Sequence, residues 1–66
     1  MRVLVNGKEL LLDGPSTVAD LLAELGVPRD GTAVIRVGQV VPSSEHATTD
    51  LDEGDVIDVV RLVGGG

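Results

Sequence analysis

RVLVNGKELLLDGPSTVADLLAELG, Arg2–Gly26, carries a hairpin signal followed by a helix signal. Asn6 and Gly7 stand between two apolar runs, and both tolerate positive φ, so the pair predicts a tight hairpin turn. It joins antiparallel strands over Arg2–Val5 and Glu9–Leu12. Gly14 and Pro15 then break the strand pattern. Thr17 follows as a helix N-cap, with Asp20 three residues on in the position of a capping box. Val18, Leu21, Leu22 and Leu25 recur at helical spacing and predict one apolar face. Gly26 suits a left-handed cap, and Pro28 prevents continuation.

TAVIRVGQVVP (32–42) returns to strand chemistry. Ala33, Ile35 and Val37 alternate with Val34 and Arg36, which predicts one buried and one mixed face. Gly38 interrupts, and Val40-Val41 form a short strand ended by Pro42. SSEHATTD (43–50) reads as a polar turn capped by Ser43, and Glu53-Gly54 as a tight turn. VIDVVRLV (56–63) is the longest strand. Its two faces are Val56, Asp58, Val60 and Leu62 against Ile57, Val59, Arg61 and Val63. Asp58 is near mid-strand, where an ion is costly to bury, so Ile57 and Val59 are expected to face the core. Val60 and Leu62 are then left exposed, and exposed apolar pairs mark contact surfaces.

A hairpin leading into a helix, then further strands, is an α+β layout: a mixed sheet of four to five strands packed on one helix. The first and last strands are expected to pair in parallel at its centre. The organisation is one domain over residues 1–63 with a glycine tail at residues 64–66.

Composition narrows the function. The chain has 66 residues and no Cys, which removes disulfides and thiolate metal sites and leaves packing to hold a thin core. With no Phe, Tyr or Trp, that core is built from Val, Leu, Ile and Ala. Eleven acidic residues against five basic ones give a net charge of −6. That disfavours nucleic acid and anionic membrane surfaces. No signal-like or membrane-length apolar run is present, so a soluble, cytoplasmic protein is expected.

Side-chain catalysis finds little support. His46 is the sole His, with Ser43, Ser44, Thr48 and Thr49 near it in sequence, and a surface or hydrogen-bonding role is the simpler reading. One His without Cys makes no transition-metal site. Asp50, Asp52, Glu53 and Asp55 do not fit a calcium loop, because the fifth position from Asp50 is Gly54 and the twelfth is Arg61. They read as a solvated turn, with an acidic partner patch as the alternative. VNGK lacks the spacing of a phosphate loop.

What remains is RLVGGG (61–66). A carboxylate on Gly66 is a poor electrophile until activated, for which ATP is the ordinary reagent. Three extended residues span roughly 10 Å, enough to thread a narrow nucleotide site. Glycine also lets the backbone pass close to a ligand.

The element order and terminal Gly-Gly resemble the ubiquitin-like β-grasp family. The NGK hairpin, the TVADLL helix start, VVPSSEHATT and GDVIDVVRLVGGG together resemble the ThiS-type sulfur carriers of thiamin biosynthesis, over nearly the whole chain. The resemblance implies a carrier rather than an enzyme, with no bound cofactor. A ubiquitin-activating-like adenylyltransferase using ATP and magnesium would adenylate Gly66. A persulfide donor would convert it to a thiocarboxylate, and thiazole synthase would take the sulfur. The resemblance gives Gly64 and Gly65 the threading role, and partner docking to Val60, Leu62 and Val63.

Two positions depart from many relatives. Val37-Gly38 stands in place of an Asn-containing pair, and Ser43 in place of a basic residue after the Pro. The alternatives are a carrier for molybdopterin or cysteine synthesis, a lysine-conjugating modifier, or an interaction module without sulfur chemistry. Members of the molybdopterin group often carry prolines before the final Gly-Gly, which RLVGGG lacks.

Overall fold

The computed structural model describes residues 1–28 and 30–62. Strands β1 (Arg2–Val5) and β2 (Lys8–Leu11) lead into helix α1 (Val18–Leu25). Then follow β3 (Thr32–Arg36), β4 (Gln39–Val41), a 3-10 turn (Ser43–Glu45) and β5 (Val56–Arg61). The sheet order is β2-β1-β5-β3-β4, with β1 and β5 parallel and the other pairs antiparallel. This is the expected mixed sheet on one helix, with the parallel pair inside it.

Local chemistry explains the first half. Asn6 and Gly7 sit at φ 51° and 81°, as a two-residue type I′ turn requires. Thr17 accepts from the Asp20 N–H at 3.2 Å while the Asp20 carboxylate accepts from the Thr17 N–H at 2.9 Å. That reciprocal cap satisfies two orphan donors of α1. Gly26, at φ 71°, and Val27 donate back to Ala23 and Leu22, closing the helix.

Val18, Leu21 and Leu22 of α1 pack on Val3, Val5, Val34 and Ile57 of the sheet, with Leu12 and Leu51 completing the core. Ile57 is buried and Val59 half-buried, the facing expected for the last strand.

Several expectations are corrected. The second strand begins at Lys8, which pairs with Val5, and ends at Leu11. Leu25 is exposed rather than core, at the edge of a cleft that it lines with Leu10 and Val59. On β3 the buried residues are Thr32 and Val34, not Ala33, Ile35 and Val37. The cause is register: Val34 pairs with Val59, which puts it on the helix side, while Ile35 pairs with the outward Asp58. Val37 leaves the strand altogether. It shares a two-residue turn with Gly38 at φ 51° and 77° and is 76% exposed. Ser43 is the first residue of the 3-10 turn and makes no side-chain cap; Pro42 holds the cap position. The last strand stops at Arg61 rather than Val63, which lies outside the described residues.

Candidate functional site

β5 runs between β1 and β3, so its side chains alternate between the helix layer and the uncovered sheet face. Val56, Asp58, Val60 and Leu62 are all exposed, on the side away from Ile57. Val60 is 43% and Leu62 60% accessible. Pairing aligns neighbours with them: Leu4 lies beside Val56, Ile35 beside Asp58 with Val40 next in the same row, and Ala33 beside Val60. The result is an open face of branched aliphatic side chains around Asp58, with the Arg2–Glu9 ion pair beyond Leu4 on the same face. An exposed apolar face of this kind is the candidate surface for partner contact.

The strand end is held firmly. The Leu62 N–H donates to the Gly31 carbonyl at 2.7 Å, extending the ladder one residue past Arg61. Arg61 Nη1 donates to Thr32 Oγ1 at 3.0 Å, and that hydroxyl donates to the Pro28 carbonyl. Residues 63–66 begin directly beyond this anchor; Val63, Gly64, Gly65 and Gly66 lie outside the described residues.

Sequence reading missed one link here. Asn6 Nδ2 donates to the Val59 carbonyl at 3.2 Å, and Asn6 Oδ1 accepts from the Val59 N–H at 2.9 Å. The Asn-Gly turn signal accounts for Asn6 by itself, so nothing local pointed to its bond with a strand 53 residues away.

The other candidates resolve structurally. His46 is 1% exposed, so the surface reading is replaced by the hydrogen-bonding one. Its Nε2 lies 3.0 Å from the Val41 carbonyl, an acceptor only, so Nε2 carries the proton. Nδ1 is buried without a partner among the described residues. Thr48 and Thr49 donate their hydroxyls to the Glu45 carbonyl, not to His46. No nucleophile–base pair is formed by these groups.

The acidic turn is more than solvated. Arg36 Nε donates to Asp55 Oδ2 and Nη2 to Asp52 Oδ2, each at 2.8 Å. The hydrogen bond that Arg36 donates to Asp55 raises the Arg36 pKa most; desolvation opposes it, and the negative charges of Asp55 and Asp52 add to the rise. Among the described residues no three His, Asp or Glu side chains converge on a metal-sized site. No helix among them is long and apolar enough to cross a membrane. A cleft of about 500 Å³ opens on the helix side between Leu10, Leu25, Val27 and Val59, with Lys8 and Arg61 among its lining residues.

Comparison with known proteins gives consistent results. A family model described as the ThiS family matches residues 2–66. The chain is 36% identical over 64 residues to the sulfur carrier protein ThiS of Thermus thermophilus, covering 97% of this chain and 98% of that one. It is 38% identical over 66 residues to a thiazole synthase of Paramagnetospirillum magneticum, of which it spans only 20%. The crystal structure of a thiamine biosynthesis protein (ThiS) from Geobacter metallireducens superposes with a TM-score of 0.83 at 30% identity, with full coverage of both chains. The solution structure of a thiamine biosynthesis protein from the same organism gives 0.80 at the same identity, covering 88% of that chain. With its β-grasp sheet, its single helix and a family match that runs through the final glycines, the chain belongs to the ThiS family.

Proposed function

We propose that the chain is a cytoplasmic sulfur carrier of thiamin biosynthesis whose reactive group is the carboxylate of Gly66. A ubiquitin-activating-like adenylyltransferase, using ATP and magnesium, transfers AMP to that carboxylate and releases pyrophosphate. The mixed anhydride is an electrophile. The terminal sulfur of a persulfide donor forms the carbon–sulfur bond as AMP departs, and a thiol then cleaves the sulfur–sulfur bond to leave a thiocarboxylate. This chain contains no Cys, so persulfide and thiol both come from partners. Thiazole synthase accepts the sulfur, a pairing supported by the relative of that name that includes a segment similar to this entire chain.

The domain's own contribution is presentation. Gly64 and Gly65 thread the terminus into the partner's site, where a Cβ would obstruct close backbone approach. Val60 and Leu62, with Val63 beyond them, dock the strand end on that partner. The observation that carries the reading is the family match across residues 2–66, which includes the three glycines.

The test is intact mass after incubation with the adenylyltransferase, ATP, magnesium and a persulfide donor. Exchange of one oxygen for sulfur, mapped by fragmentation to Gly66, is expected. An unchanged mass with no trapped adenylate would refute the carrier role.

A further inference from the structure

Asp58 occupies an unusual place on the open face. It is exposed, with Val56 and Val60 two residues to either side along β5. Ile35 lies directly beside it and Val40 beyond Ile35 in the same row. Val56 and Val40 are 55% and 65% accessible, so this surround is itself uncovered.

The described Lys and Arg side chains are either paired with other groups or face the helix side of the sheet. Arg2 contacts Glu9 at 3.2 Å, and Arg36 is held by Asp52 and Asp55. Arg61 pairs with the buried Thr32 and Lys8 with the buried Val5, which puts both on the helix side. Asp58 forms no ion pair among the described residues.

A carboxylate at the middle of an apolar patch constrains what can cover it. A partner that seals the patch with aliphatic groups alone strips water from the charge and returns nothing. A partner that brings a cation to the same point recovers that cost and gains register. The net charge of −6 adds long-range attraction for such a surface.

We propose that Asp58 is the specificity-determining residue of the docking face, selecting an adenylating partner that presents an arginine or lysine set among apolar side chains. The proposal rests on the sulfur-carrier reading and names the chemistry of that partner's surface. Asp58 acts through recognition alone and touches no reacting atom.

The experiment measures pyrophosphate exchange by the adenylyltransferase as a function of carrier concentration, for the wild-type chain, Asp58→Asn and Asp58→Lys. Unfolding midpoints are followed in parallel, and an exposed side chain is expected to leave them nearly unchanged. KM is expected to rise roughly 30-fold or more for Asp58→Asn and further for Asp58→Lys, the effect falling on KM rather than kcat. Wild-type KM should climb with salt more steeply than that of the Asn variant. Reversing the partner's facing cation to Glu should restore Asp58→Lys.

Equal or lower KM for both variants overturns the proposal. So does a defect confined to sulfur transfer with thiazole synthase, which would assign the face to that enzyme instead. If the wild-type chain itself supports no exchange, the carrier reading fails and the proposal with it.

Discussion

The Asn6 side-chain amide grips the Val59 backbone on both sides, accepting from its N–H at 2.9 Å and donating to its carbonyl at 3.2 Å. It does so just where the parallel pairing of β1 and β5 ends, at Val5 and Ile57. The hairpin turn thereby continues the ladder with a side chain. Asn6 also holds φ 51°, so one residue serves the turn and the sheet together. Two substitutions separate these roles. Asn6→Gly keeps the left-handed backbone and loses both bonds, costing about 1–2 kcal/mol. Asn6→Ala loses the bonds and strains the turn, adding about 1 kcal/mol more. Denaturant midpoints of the two variants check the order; equal loss would mean that the turn conformation contributes nothing.

Val37 presents the opposite case. A β-branched residue at φ 51° is a backbone outlier, and this side chain is 76% exposed with little packing to offset the strain. Val37→Asn is expected to raise stability by about 1 kcal/mol, since Asn adopts the left-handed region more readily. A higher thermal midpoint with unchanged far-ultraviolet dichroism is the expected result. A lower midpoint would show that Val37 contributes packing that its exposure does not reveal.

The Arg36 cluster ranks two carboxylates. Asp55 Oδ2 accepts from Arg36 Nε at 2.8 Å and from the Asp52 N–H at 2.7 Å, with only 11% of its side chain exposed. The Asp52 side chain is 78% exposed. Asp55→Ala should therefore cost about 2 kcal/mol and Asp52→Ala under about 1 kcal/mol, measured by urea unfolding. The arginine side has a defined sign. Its raised pKa means that the stabilisation is fully present below the ordinary arginine value and is lost only as pH climbs through the raised one. No loss from Arg36 is expected across neutral pH.

The hairpin, the capped helix and the facing of the last strand were legible because their signals are local. Asn6-Gly7, Thr17 with Asp20, and Gly26 each act within a few residues. β3 was not legible in this way. Ala33 and Ile35 on one side and Val34 on the other are all apolar, so alternation leaves the buried face undecided until β5 imposes register. For the candidate site, the outward facing of Asp58, Val60 and Leu62 followed from the cost of burying an ion. The lack of an ion pair to Asp58 among the described residues did not, because it depends on Arg36 being held by Asp52 and Asp55 and on the register that turns Arg61 and Lys8 to the helix side. The tie from Asn6 to Val59 was hidden for the same reason.

The strand end and the terminal glycine are separable by experiment. Leu62 is 60% exposed, and its backbone, not its side chain, makes the bond to Gly31. Leu62→Asp should leave the unfolding free energy within about 0.5 kcal/mol of wild type, as for exposed substitutions generally. If Leu62 docks on the adenylyltransferase, the same change places a second carboxylate in a dehydrated contact and should raise KM by about tenfold or more. Deleting Gly66 should behave differently. The apolar docking surface is intact, so the truncated chain competes with the full-length one for the enzyme, yet its mass does not change on incubation with ATP and persulfide. Large destabilisation by Leu62→Asp with unchanged binding would mean that Leu62 supports the fold and the partner docks elsewhere. Sulfur incorporation into the chain lacking Gly66 would mean that the reactive carboxyl does not depend on that residue, since Gly65 would then serve as well.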